Sequence, residues 1–214
     1  MIDEKGRSVK RLFDISMASL GLVLFSPVIV AAWIVARIDT GASGIFVQRR
    51  IGMDGEPFDL YKIRTMRPSE GTTVTTAGDS RITVSGRWLR RYKIDELPQL
   101  WNVLKGDMSL VGPRPDVEGY ADRLEGDERI VLSVRPGITG PASLKYRNEE
   151  EILASVDDPV RYNDEVIWPD KVKMNMEYIR EWSFGKDIGY IVATVTGREV
   201  EDARERSEGG DIER

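Results

Sequence analysis

Residues 15–36, ISMASLGLVLFSPVIVAAWIVA, run for 22 positions without a charge. A straight helix of that length measures ~33 Å, enough to cross a bilayer. It is longer than the core of a secretory signal, and no small-residue cleavage site follows it. Ser26-Pro27 interrupts the run near its middle. A proline inside a helix removes a donor and kinks the chain. Lys5, Arg7, Lys10 and Arg11 precede the run; Arg37, Arg49 and Arg50 follow it. Basic flanks mark the cytoplasmic side of a membrane segment. Two basic flanks suit a helix that enters, breaks and returns, but a kinked helix that crosses fits the pattern too. The residues alone leave both open.

Beyond the run the pattern turns to short elements. Asp54-Gly55 between two apolar stretches in 44–66 predicts a hairpin. Residues 68–80 read as a polar loop. The segment 86–94, GRWLRRYKI, reads as an interfacial helix with Trp88 and Leu89 towards lipid, or as a solvated helix face. Leu97, Leu100, Trp101 and Leu104 recur at helical spacing. Residues 116–133 read as a charged helix. Val172, Met176 and Ile179 mark another helix in 170–184, and DIGYIVATV follows it. Trp182, Phe184 and Tyr190 suit an interfacial belt or, more commonly, core packing. The tail after Gly197 is charged and poor in apolar residues, a composition that favours disorder.

Composition narrows the chemistry. The 214 residues suffice for one domain with a real core. Cysteine and histidine are both absent. That excludes disulfides, thiolate or imidazole metal ligands and His-based triads. Proton or metal chemistry must therefore use carboxylates, lysine, tyrosine or hydroxyls, and carboxylates favour hard cations such as Mg²⁺. The net charge of −5 hides an asymmetry: 17 Lys/Arg against 12 Asp/Glu in 1–115, then 14 against 24 in 116–214. A basic half suits anionic lipid or phosphate ligands, although uneven solvated surface explains it equally well.

Asp-Glu occurs four times, at 3–4, 95–96, 127–128 and 164–165. Only the second pair has an unusual setting. Pro98 is tolerated only in a first helical turn, which predicts a helix starting near Asp95. Two carboxylates there would cap the helix, a role worth ~1 kcal/mol that needs no function. A helix start also favours a bound phosphate. Arg90, Arg91 and Lys93 lie just before, and Arg114 sits in Gly112-Pro113-Arg114-Pro115 just after. An ionised aspartate can attack phosphorus if Mg²⁺ and arginines supply countercharge. The sequence offers that combination around this pair and not around the other three.

Taken together, several stretches resemble the bacterial sugar transferases, the monotopic phosphoglycosyl transferases. They are KRLFD (10–14), the apolar run with Ser26-Pro27, VQRRIG (47–52), FDLYKIRTM (58–66), DSRIT (79–83), the block 86–115 and RPGITG (135–140). The resemblance covers about residues 9–196 and suggests the small form of the family. It implies an α+β fold, mainly α with short strands: a compact domain on the cytoplasmic face of the bacterial inner membrane, held by one re-entrant helix broken at Ser26 and Pro27. The chain then divides into a basic flank (1–11), the re-entrant helix (12–38), a catalytic domain (39–197) and a charged, disordered tail (198–214).

The implied activity moves a sugar 1-phosphate from a UDP-sugar to polyprenyl phosphate and releases UMP. In that reading Asp95 is the nucleophile. Glu96 assists as metal ligand or base, and the pair holds Mg²⁺. Lys62, Arg90 and Arg114 bind substrate phosphate. Arg135, Arg147 and Asn148 belong to a substrate loop. Arg11 and Asp14 pair structurally beside the membrane helix. The implied partners are the donor, the lipid acceptor and the bilayer, with no nucleic acid; a homodimer stays open. Many members follow GITG with a Gln-Val-Asn-Gly-Arg-Asn-like run, whereas this chain has PASLKYRN (141–148). That departure removes any basis for naming the sugar. The rival readings are an inactive membrane-anchored scaffold, a Mg²⁺-dependent nucleotide-sugar hydrolase and a single-span anchor with an external domain.

Overall fold

The computed structural model describes residues 2–68 and 79–197. Most of the 68–80 loop and the tail from residue 198 lie outside these. Among the described residues the fold is mainly helical with four short strands, as expected for this α+β class. Helix α1 runs from Glu4 to Thr40, so the basic flank and the apolar run form one element of 37 residues. The Asp3 carboxylate accepts the Gly6 N–H to start it, and left-handed Gly41 ends it.

Helix α1 continues through Pro27. That residue has no N–H to give the Val23 carbonyl, and the Ser26 hydroxyl donates to that carbonyl instead, at 2.9 Å. The Ser-Pro pair thus repairs the defect that it creates. Small residues on both sides of the pair seat α1 on the domain. Ala18 packs on Leu60, Val103 and Met108. Ala32 and Ala36 pack on Ile63 and Leu89. Between those contacts Leu20, Val23, Leu24 and Val30 are exposed. Among the described residues, α1 is the one helix long and apolar enough to cross a membrane.

Strands β1 (Ile45–Ile51) and β2 (Pro57–Ile63) form the expected antiparallel hairpin, with Phe46 opposite Lys62. Its turn puts Asp54 at φ 60° and Gly55 at φ 84°, the left-handed region that Asp-Gly favours. Helices α2 (Val84–Arg91) and α3 (Gln99–Lys105) follow. In α2 two neighbouring apolar residues part company: Leu89 is buried in the core, while Trp88 is exposed. They are one position apart, and adjacent helical residues cannot share a face.

Strands β3 (Ser109–Val111) and β4 (Gly137–Thr139) pair in parallel. The turn after β3 lies flat against β4: a Cβ on Gly137 would come within 2.1 Å of the Gly112 nitrogen, and one on Gly112 within 2.5 Å of the Arg135 carbonyl. Gly137 N–H donates to the Pro113 carbonyl at 2.7 Å. The GPRP and RPGITG stretches therefore fold as one unit. The segment 116–133 is not the expected charged helix. It forms two 3₁₀ stretches, Ala121–Arg123 and Gly126–Ser133, around a left-handed Gly126. Its hydrophobic residues Val131 and Leu132 anchor it to the core instead.

Short helices α4 (Pro141–Lys145), α5 (Glu149–Ala154) and α6 (Pro159–Tyr162) lead to α7 (Trp168–Arg180) and α8 (Phe184–Thr196). Val172 and Ile179 of α7 are buried, as their spacing requires, with Met176 packed alongside. Trp182 and Tyr190 pack on Val111, Tyr178 and Ile179, and Phe184 meets Phe13 edge to face. All three are half-buried, Trp182 and Tyr190 at the edge of this cluster. Asp187 is buried where Lys10, Tyr178 and Trp182 all donate to it, tying α1 to α7 and α8. Arg11 and Asp14 do not bond each other. Arg11 donates to the Val103 and Leu104 carbonyls, and Asp14 accepts the Leu110 N–H.

Candidate active site

The Asp95-Glu96 pair does not start an α-helix. Lys93 adopts a left-handed φ of 55° after α2, and Ile94–Glu96 form a 3₁₀ turn. The cause is Pro98: without its N–H, the Ile94 carbonyl accepts from Leu97 instead, and α3 begins only at Gln99. Asp95 makes no side-chain cap, so the capping role expected from the sequence is not the one it plays. Both carboxylates are buried, Asp95 8% and Glu96 9% exposed. A cap would sit in water; these two were withdrawn from it.

Glu96 is surrounded by cations. Arg114 Nη2 lies 2.6 Å from its Oε1 and Nη1 lies 3.5 Å from its Oε2. Lys62 Nζ stands 3.5 Å from Oε1. Burial alone would raise the Glu96 pKa, but the charges of Arg114 and Lys62 outweigh it and hold the carboxyl well below its usual range. Asp95 is the opposite case. Its Oδ1 is buried without a hydrogen-bond partner among the described residues. Burial, then the charge of Glu96, pushes its pKa up to about 6, against the pull of Lys62, Arg90 and Lys93. Two adjacent carboxylates thus divide: one is neutralised and fixed, the other is left bare. Burial likewise lowers Lys62, to about 8.

The structure brings Lys62, Asp95, Glu96 and Arg114 together and sets Arg90 within electrostatic range of Asp95. Arg90 itself is ion-paired to Glu150 of α5. The proposed substrate-loop residues lie elsewhere. Arg135 donates through Nε to the Gly106 carbonyl, at the end of α3. Arg147 donates to the Thr194 carbonyl of α8. Asn148 occupies the N-cap position of α5. None of these three bonds the dyad among the described residues.

Four further charged residues surround the site. Arg50 donates to the Pro115 carbonyl at 3.1 Å and so braces the turn that carries Arg114. Asp116 is held up to about 6 by burial, against Lys171, Arg50 and Arg114. Lys171 grips Glu149 at 2.7 Å, next to the Glu150 that holds Arg90. In the sequence, Glu149-Glu150-Glu151 reads as a solvated charge run. Its pairing with residue 90 spans 60 positions, and no local period signals such a contact.

No group of three or more metal-ligating side chains occurs among the described residues. Both Glu96 oxygens are engaged, leaving the bare Asp95 Oδ1 as the open donor. Such a set suits Mg²⁺, which is commonly held by one or two carboxylates and completed by substrate phosphate and water.

Residues 5–198 match the sequence profile of the family described as bacterial sugar transferase. The chain is 39% identical over 197 residues to the UDP-glucose:undecaprenyl-phosphate glucose-1-phosphate transferase of Escherichia coli (strain K12), covering 88% of this chain and 40% of that protein. It is 38% identical over 190 residues to the uncharacterized sugar transferase EpsL of Bacillus subtilis (strain 168), covering 87% and 85%. A UDP-N-acetylgalactosamine-undecaprenyl-phosphate N-acetylgalactosaminephosphotransferase of Aeromonas hydrophila is 32% identical over 193 residues, covering 87% and 43%. The chain thus spans well under half the length of the first and third of these relatives.

Proposed function

The chain belongs to the bacterial sugar transferase family, and from that premise we propose that it moves a sugar 1-phosphate from a UDP-sugar to undecaprenyl phosphate, releasing UMP. The observation that carries the reading is the division of labour in the dyad: Glu96 is neutralised by Arg114 and Lys62, while Asp95 keeps a buried, unpartnered oxygen.

One oxygen of the Asp95 carboxylate attacks the phosphorus that bears the sugar. The bond from that phosphorus to the bridging oxygen breaks, and UMP leaves with the electron pair. An oxygen of undecaprenyl phosphate then attacks the same phosphorus and returns the Asp95 carboxylate. The product is an undecaprenyl diphosphate sugar. The second oxygen of Asp95, with Glu96 beside it, would hold a bound Mg²⁺, which would supply countercharge to the donor diphosphate. Arg90 and Arg114 grip phosphate oxygens in the planar, two-pronged manner of guanidinium. Glu96, kept ionised by its cations, is a poor proton acceptor. That favours a charge-organising role over that of a base.

We place the domain on the cytoplasmic face of the inner membrane, with α1 re-entrant and bent at Ser26-Pro27. Basic residues on both flanks support this, as do the contacts of α1 with the domain on both sides of an exposed apolar stretch. The test is a panel of UDP-sugars given to detergent-solubilised protein with Mg²⁺ and undecaprenyl phosphate, reading UMP. Lipid-dependent UMP that Asp95→Asn abolishes is the expected result. UMP formed equally without lipid would make the protein a hydrolase and overturn the reading.

A further inference from the structure

One cavity of about 560 Å³ has no part in the chemistry above. It lies where the first turns of α1 meet the start of β3 and the segment 133–135. Arg7, Arg11 and Arg135 line it. Among the described residues Arg11 and Arg135 donate only to backbone carbonyls, those of Val103, Leu104 and Gly106. No ion pair neutralises any of the three among the described residues. Lys10 in the same wall differs, being matched by Asp187 at 2.5 Å. Of the two carboxylates in the wall, Asp14 is buried and occupied by the Leu110 N–H, and Glu4 stands exposed. Burial, then the proximity of Arg135, lowers the Arg11 pKa against the opposing charge of Asp14.

The rest of the lining combines apolar Leu12, Ile15, Met53 and Val134 with Ser8, Ser109 and Ser133. The uncharged run of α1 starts at Ile15. Cationic and apolar walls therefore meet at the level where α1 would pass from headgroups into acyl chains.

We propose that this cavity binds the phosphate of an anionic glycerophospholipid, with guanidinium groups on the headgroup and Leu12, Ile15 and Val134 against the upper acyl chain. The inference rests on the reading that α1 lies in a bilayer. It is separate from the dyad, whose phosphate-binding cations are Lys62, Arg90 and Arg114.

The experiment is native mass spectrometry of the full chain in a neutral detergent, with phosphatidylglycerol or phosphatidylcholine added. Retention of one phosphatidylglycerol in preference to phosphatidylcholine is expected. Arg7→Gln, at a side chain with no hydrogen bond or ion pair among the described residues, should weaken that retention about fivefold, and Arg135→Gln by a similar factor. Equal retention of the two lipids overturns the proposal, as does an Arg7→Gln protein that binds like the wild type. Loss of the bound lipid on adding inorganic phosphate would assign the cavity to free phosphate and overturn it too. Flotation with neutral vesicles separates the two readings. Wild-type protein that fails to float refutes the placement of α1; protein that floats but shows no headgroup preference refutes the cavity proposal alone.

Discussion

Asp95→Asn should abolish transfer and at the same time make the protein more stable at neutral pH. Asp95 is a carboxyl whose folded pKa, about 6, exceeds its ordinary 3.8. Between those values the folded state binds more protons than the unfolded state. Stability is therefore greatest below about pH 4 in respect of this group, falls as pH rises, and reaches its full loss above about pH 6. The gap between about 6 and 3.8 corresponds to ~3 kcal/mol at 1.36 kcal/mol per pH unit, an upper bound for a group beside a second carboxylate. Asparagine has nearly the same shape and carries no charge, so it removes this penalty. A gain of ~1–3 kcal/mol is expected at pH 8, a rise in Tm of roughly 2–10 °C for a chain of this size. Near pH 4.5 the difference should shrink to about a third of its value at pH 8. The assay is thermal unfolding in detergent of both proteins at pH 8 and pH 4.5, with UMP release measured alongside. An Asp95→Asn protein less stable than wild type at pH 8 would refute the reasoning. It would mean that the ionised carboxylate is held by favourable contacts and is not bare.

Three other outcomes are expected. Arg114→Lys should lower kcat/KM by ~10–100-fold, since lysine cannot reproduce the two-pronged contact, while the fold persists; unchanged kinetics would leave Arg114 as a turn residue. The pH profile of kcat/KM should be bell-shaped. Its acid limb lies near 6, where Asp95 protonates, and its alkaline limb near 8, where Lys62 loses its charge; Lys62→Arg should move only the alkaline limb upward. Because the chain has no cysteine, Ser8→Cys and Ser43→Cys give single-site probes at the two ends of α1. A membrane-impermeant thiol reagent should reach both from the cytoplasmic side only, and labelling from opposite sides would show a helix that crosses.

The sequence by itself determined the elements whose cause is local. The Asp54-Gly55 hairpin follows from two residues that tolerate left-handed φ, and the α7 stripe follows from helical spacing. The long apolar helix follows from 22 uncharged positions. Composition without cysteine or histidine confined the chemistry to carboxylates and cations, and the neighbours of Asp95-Glu96 singled that pair out. Local reasoning failed where a distant contact or a missing N–H decided the outcome. Pro98 converts the expected helix start into a 3₁₀ turn, and Leu89 turns inward because Ala32 and Ala36 cover it. Only the tertiary structure could assign Glu96 to Arg114 and Lys62, Glu150 to Arg90, and Arg135 to the end of α3. The physical reason is range. Backbone preference and periodicity act over a few residues, whereas the charge that leaves Asp95 bare is set by groups brought from β2, α2 and the turn after β3, once folding has excluded water from between them.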